Sequence, residues 1–267
     1  MNEILAANSE RRFGGIARLY GTVGLARLRA AHVCVVGVGG VGSWAAEALA
    51  RSAIGRITLI DLDNVAESNV NRQIHAMDGE FGKAKIDVMA ERIRAINPDC
   101  RITLVEDFIS HDNVQELIGT DIDWVMDCID TFRIKAALLA HCKRNKIKAI
   151  TVGGAGGVTD PTRIKVIDLS RATQDPLLAR TRGRLRDYHG FTRNPKRRFS
   201  IPSVHSEEQA VYPTPEGGIC AQKPEGAAAG GLSCAGGIGS VMTVTATFGL
   251  VAASVVLARL TESEPTP

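Results

Sequence analysis

Between Val33 and Ser43 the chain reads Val-Cys-Val-Val-Gly-Val-Gly-Gly-Val-Gly-Ser, a short apolar run that breaks straight into glycines. Few folds accommodate that pattern. The apolar run has the length of a buried strand, and Ser43 onward has the character of a helix. Gly37, Gly39 and Gly42 fit G-x-G-x-x-G, with Gly40 inside the turn. The first glycine permits the tight turn, the second lets backbone approach a phosphate, and the third lets helix pack on strand. A helix starting there points unpaired N–H groups and the positive end of its dipole at an anion. A second apolar run, Ile57-Thr58-Leu59-Ile60, ends in Asp61, 19 residues after Gly42. That is the distance at which a carboxylate holds a ribose hydroxyl. The pattern predicts a nucleotide site.

Strand and helix signals then alternate for about 155 residues, which predicts an α/β fold: a Rossmann-like, mostly parallel sheet with helices on both faces. Ala31–Val36, Arg56–Ile60, Arg101–Val105, Asp123–Met126 and Lys148–Val152 read as strands. Ser43–Ser52, Lys83–Ile96, His111–Ile118 and Thr131–Asn145 read as helices, and Asn97-Pro98 stops the second of them. Ser9–Ala30 has helical character that Gly14-Gly15 and Gly21 are expected to break. Arg163–Ile167 is a further strand, followed by a Gly-, Pro- and Arg-rich run with no clear periodicity to about Gly231. The domain expectation is one unit over 1–267: a nucleotide-binding core at 10–165, a basic loop insertion at 170–232 and an apolar helix at 236–260.

Charge is unevenly placed. The 267 residues carry a formal net charge of +3, yet Arg171–Arg198 holds nine basic residues and two acids. Composition alone admits two readings of that excess, a surface for a polyanion such as RNA or a solvated loop. The Gly236–Leu260 stretch is apolar except for Arg259, and its length would span a membrane. Its Gly, Ser and Thr content and lack of flanking anchors favour a buried helix, closing the sheet or a dimer interface. The six cysteines form no C-x-x-C pair, and Cys34, Cys128 and Cys142 sit inside apolar patterns. Free thiols of that kind indicate a reducing, cytoplasmic location and no structural zinc. No secretory signal is visible at the N-terminus.

A second cluster bears on the chemistry. Asn69-Val70-Asn71-Arg72-Gln73 follows Asp61, Lys85 opens the next helix, and Asp127-Cys128-Ile129-Asp130 ends the fourth strand. With Gly37–Gly42, these motifs resemble the adenylating family of ubiquitin-activating enzymes and their bacterial relatives that activate molybdopterin- and thiamine-pathway carrier proteins. The resemblance covers residues 10–165. It implies ATP and Mg2+ as cofactors, with Asp61 as ribose ligand, Asn69, Arg72 and Lys85 as triphosphate ligands, and Asp130 as the magnesium carboxylate. It makes Arg72, Lys85 and Asp130 the catalytic set, because AMP transfer to a carboxylate gathers negative charge that fixed cations and a metal stabilise. Arg12 resembles an N-terminal arginine that the family uses near the nucleotide, often across a dimer. Asp63 reads equally as a strand terminator, Lys83 as a solvated helix-start residue, and Asp127 as a loop-orienting group.

The carrier-activating enzymes carry two zinc-binding C-x-x-C pairs and this chain has none. Arg11–Gly21, Asn71–Ala76, Thr151–Gly157 and Val211-Tyr212-Pro213 are instead similar, nearly end to end, to the tRNA threonylcarbamoyladenosine dehydratase branch. That branch implies a tRNA substrate, a homodimer and a link to sulfur-relay proteins. The implied reaction adenylates the threonine carboxylate on adenosine 37, then closes a ring with loss of AMP. Holding both reacting groups on one molecule makes that second step effectively unimolecular. Adenylation of a ubiquitin-like carrier for sulfur transfer is the alternative. A nucleotide-binding module without turnover and a dehydrogenase fit the motif set less well. Cys234 reads as a packed thiol or a reactive one, and His205 and Glu207 as acid–base groups, tRNA contacts or loop supports.

Overall fold

The computed structural model describes residues 9–221 and 238–262. Cys234 lies outside these described residues. Seven strands form one sheet in the order β3-β2-β1-β4-β5-β7-β6. They are β1 (His32–Val36), β2 (Arg56–Ile60), β3 (Arg101–Val105), β4 (Trp124–Asp127), β5 (Lys148–Val152), β6 (Ile164–Asp168) and β7 (Pro202–Ser206). Every neighbouring pair is parallel except β6 with β7. The chain leaves β1 for β2 on one side and reaches β4 on the other. The carboxyl ends of β1 and β4 therefore flank the switch point where such sheets open a crevice.

Side-chain alternation along the strands decides which helices cover which face. Val33 and Val35 of β1, Ile57 and Leu59 of β2 and Met126 of β4 pack with the helices α2 (Gly42–Arg51), α3 (Lys85–Ile96) and α7 (Met242–Thr261). Cys34, Val36, Ile60 and Val125 point the other way. They pack with α5 (Phe132–Arg144), α6 (Pro176–Tyr188) and the short α4 (Val114–Leu117). Both faces of the sheet are thus covered, as its apolar parallel strands require.

Helix α1 (Ser9–Ala30) runs unbroken through Gly14-Gly15 and bends only at Gly21, which has φ 76° and ψ 166°. The expected break at Gly14-Gly15 is absent because buried Phe13, Leu25 and Leu28 hold the helix down, and packing outweighs weak propensity. Helix α7 is apolar and long enough to cross a membrane by length and composition. One face of it, including Val244, Phe248, Ala252 and Val256, is nevertheless buried in the core beside α2. At Gly249 the contact is with backbone: a Cβ there would lie 2.4 Å from the Val41 carbonyl oxygen.

The segment expected to be a structureless basic run holds α6 and then β7, which inserts between β5 and β6. Asp175 caps α6 by accepting the Leu178 N–H at 2.8 Å, with Pro176 at the first helical position. Leu178, Thr181 and Leu185 face the core. Four arginines on the remaining surface of α6 masked that narrow apolar stripe. A two-stranded hairpin, β8 (Tyr212–Pro213) and β9 (Ile219–Cys220), follows.

Candidate active site

The glycine turn closes as its sequence requires. Gly37 sits at φ 88°, and a Cβ on Gly42 would fall 1.8 Å from the Gly37 carbonyl oxygen. Asp61, at the end of β2, accepts the N–H of Val38 at 2.6 Å and of Asp63 at 2.9 Å, so it ties the turn to the next loop. Burial pushes the Asp61 carboxyl up from its ordinary value, against Lys85 and the two N–H groups, which pull it down. The turn opens on a crevice of about 790 Å3 at the carboxyl ends of the strands. Gly37, Gly39, Gly40, Asp61, Asn69, Arg72, Lys85 and Asp130 all line it.

Each of these side chains is held by a specific contact. The Asn69 Oδ1 accepts the Ala66 N–H at 3.1 Å, which leaves the amide NH2 as a donor for a ligand. Arg72 donates from Nη1 to the Ser68 carbonyl at 2.6 Å and to the Asn71 Oδ1 at 3.0 Å. Its own carbonyl accepts the Trp44 indole N–H at 3.0 Å. Lys85 is only 6% exposed and its Nζ lies 2.7 Å from the Asp63 Oδ2. Asp63 also lines the crevice, so this acid does more than end a strand. Lys83 instead pairs with Glu80 at 3.0 Å. Arg12 is not part of this crevice. Its Nη1 donates to the Ala95 and Ile96 carbonyls at 2.8 and 2.7 Å, where the exposed C-terminal end of α3 attracts a cation.

Asp127 and Asp130 have opposite surroundings. Asp130 is exposed, and its one hydrogen bond is from the Thr131 hydroxyl at 3.3 Å. Asp127 and Lys135 are both fully buried, 2.9 Å apart. Lys135 also donates to the Asp127 carbonyl at 3.3 Å and to the Thr151 hydroxyl at 3.1 Å, and that hydroxyl donates to Asp127 at 2.7 Å. The Asp127 Oδ1 accepts the Ile129 N–H at 3.2 Å. Burial pushes the Asp127 carboxyl up, and Lys135 and Thr151 oppose it. Asp127 thus orients the loop that presents Asp130. Lys135 completes that arrangement, and its place in the apolar stretch Ile134–Leu139 was the sequence signal for a buried partner.

Among the described residues no three His, Cys, Asp or Glu side chains converge to cage a metal. Asp130, exposed at the crevice with Asp63 and Asp107, suits Mg2+, a hard ion that keeps its waters and takes few protein ligands. Asp130 has free lone pairs for that purpose. Cys128 lines the crevice, but burial pushes its thiol up to about 12, and Cys142 likewise. At such values neither supplies a thiolate nucleophile.

On the β5 side of the switch point, two motifs from the sequence meet. Gly153–Gly156 and Tyr212 line the crevice there, and the Val211 N–H donates to the Gly157 carbonyl at 2.8 Å. Asp175, the cap of α6, also accepts the Gly154 N–H at 2.9 Å and so joins that glycine loop to the basic helix. Asp175 is buried, and its carboxyl is pushed up despite both N–H groups. Pro176, Leu177 and Arg180 of α6 complete this wall. His205 is buried in β7, and neither it nor Glu207 lines the crevice. Glu208 does, and it clasps the Thr159 and Asp160 N–H groups at 3.0 and 2.8 Å.

Comparison with known proteins agrees with this geometry. Residues 14–267 match the model of the ThiF family. The chain is 50% identical over 254 residues to the tRNA threonylcarbamoyladenosine dehydratase of Haemophilus influenzae, covering 95% of this chain and 94% of that protein. It is also 50% identical to the Escherichia coli protein of that name, covering 97% of each. A crystal structure of E. coli tRNA N6-threonylcarbamoyladenosine dehydratase in complex with ATP superposes with a TM-score of 0.85 at 48% identity, covering 97% of both chains.

Proposed function

The chain belongs to the ThiF family, and from that premise we propose that it is an ATP-dependent, AMP-forming tRNA threonylcarbamoyladenosine dehydratase. A carboxylate oxygen of the threonylcarbamoyl group attacks the α-phosphate of ATP, and pyrophosphate leaves. A second group of the same side chain then attacks the activated acyl carbon and AMP departs, so the nucleoside loses one water in all. The observation that carries this reading is one continuous crevice. The glycine turn, Asn69, Arg72 and Lys85 form its nucleotide wall, and the first turns of the basic helix α6 form another.

The residues divide the work accordingly. Arg72 offers a planar fork and Lys85 a point charge to phosphate oxygens, and both are fixed before substrate arrives. Asp130 would hold Mg2+, which would supply charge neutralisation at the phosphates. No buried cysteine is needed, because the acyl acceptor is already part of the substrate. The basic tract from Arg171 to Arg198 receives tRNA backbone. The enzyme works in the cytoplasm as a homodimer, with exposed Leu19 and Val23 of α1 and Leu250 of α7 as apolar contact residues.

The test is nucleoside mass spectrometry of threonylcarbamoyladenosine-containing tRNA incubated with the protein, ATP and Mg2+. Loss of one water from the modified nucleoside, with AMP formed in step, is expected. AMP formation on a di-glycine-tailed carrier protein, with the nucleoside mass unchanged, would overturn the reading in favour of carrier activation.

A further inference from the structure

Most glycines around the crevice are required by the fold. Gly37 and Gly157 have positive φ, and a Cβ on Gly42 or Gly153 would lie 1.8 Å from another atom. Gly39, Gly154, Gly183 and Gly239 differ: none has positive φ, and a Cβ on any of them would meet no atom of the described residues within 4 Å. Gly39 is the phosphate-approach glycine of the turn, and the Gly239 carbonyl anchors the Gly157 N–H at 2.8 Å. Among the described residues nothing explains Gly154 or Gly183.

Gly183 is the more telling of the two. It sits in the middle of α6, where glycine is the least favourable residue after proline. Pro176, Arg180 and Gly183 follow at spacings of four and three, so they share one helix face. Pro176 and Arg180 line the crevice, so Gly183 continues their face by one turn. Arg184 and Arg186 flank it. The Arg184 guanidinium lies 4.1 Å over the Tyr188 ring and that of Arg186 5.5 Å over the Phe199 ring. Arg182 Nη1, Arg184 Nε and Arg186 Nε are shielded donors without an acceptor among the described residues. The face is therefore bare at its centre and cationic at its edges. That shape and charge suit a sugar–phosphate backbone lying directly on helix backbone.

We propose that the Pro176–Arg180–Gly183 face of α6 and Gly154 form a track for single-stranded RNA. The RNA backbone contacts Gly183, and the acid-bearing nucleoside lies over Gly154 within the crevice. The track rests on the dehydratase reading for the identity of that nucleoside, but not for its RNA-binding role.

Gly183→Gln and Gly154→Ala in the full-length enzyme test it. Gly183→Gln should raise the thermal midpoint, because glutamine favours helix, while the dissociation constant and KM for tRNA rise about tenfold, as for loss of one close contact. Its ATP affinity should match wild type. Gly154→Ala should fold normally and lower kcat for tRNA dehydration by up to ~10²-fold, the scale of a small misplacement of reacting groups. Wild-type tRNA affinity in Gly183→Gln would overturn the track. If the wild-type protein bound threonylcarbamoyladenosine-containing tRNA without dehydrating it, the functional reading would fail. Weakened binding by Gly183→Gln would in that case still support the track.

Discussion

Replacing Lys135 with Met should convert a neutralised buried pair into a buried acid without a partner. Asp127 and Lys135 are both fully buried, so water cannot take over the role of the ammonium. The carboxylate will take up a proton rather than persist as an isolated charge. Its ordinary value is 3.8, and each pH unit above that costs about 1.4 kcal/mol, so the penalty at pH 7 is about 4 kcal/mol. This agrees with the ~3–5 kcal/mol typical of breaking a buried pair. Burial already holds the Asp127 carboxyl above its ordinary value, and loss of Lys135 raises the folded-state pKa further above the unfolded one. The variant is then at its best below the unfolded value and loses stability as pH rises. Urea unfolding of variant and wild type side by side should show a deficit of up to about 4 kcal/mol at pH 7 that shrinks toward pH 5. The double variant Lys135→Met/Asp127→Leu should recover most of the loss, since apolar replacements of buried pairs are often near neutral. An equal deficit at both pH values would refute the reasoning, because a packing defect does not titrate.

Other consequences can be checked with the same protein. Asp130→Ala should fold and bind ATP yet form no AMP, since this exposed carboxylate supports no core contact; ordinary AMP formation would remove it from the metal role. Arg72→Ala should lower turnover by ~10²–10³, the scale for one lost contact to transition-state charge, read from AMP release under saturating ATP. His75 is fully buried with both ring nitrogens unpartnered, and burial together with Lys85 and Arg92 pushes it down to about 4 from 6.5. Its contribution is therefore complete above 6.5 and lost as pH falls toward 4, by about 3 kcal/mol at most, a slope that His75→Phe should abolish in urea titrations. Changing Arg193, Lys196, Arg197 and Arg198 together to Gln should flatten the salt dependence of tRNA binding and leave the KM for ATP unchanged; an unaltered salt slope would mark these residues as solubilising charge only.

The parts of the molecule readable in sequence are those whose determinants are local. The glycine turn, the alternating strands and Asp61 each depend on neighbours a few residues away, and their positions in the fold follow from that. The Asp127–Lys135–Thr151 network joins three elements, so no window of sequence contains it. The resemblance puts Arg12 near a nucleotide, often across a dimer, and within one protomer its guanidinium is drawn to the exposed carbonyls at the end of α3. Helix α6 is a case in which the signal was present and overridden. Asp175-Pro176 is a good helix start, and Leu178, Thr181 and Leu185 follow at helical spacing. Strand β7 was harder to see, because Ser203 and His205 are polar yet buried between β5 and β6.

Helix α7 comes after every other described element, and yet it meets α2 just behind the glycine turn, at Gly249. The Thr245 hydroxyl donates to the Arg72 carbonyl at 3.4 Å, so α7 also supports the segment that carries Arg72. The earliest motif is therefore braced by the latest. During synthesis the ribosome releases the glycine turn long before its brace, and a chain that stops short of Met242 lacks both Thr245 at the crevice and the helix packed behind the turn. Substitutions in α7 should accordingly be tested first for weakened ATP binding.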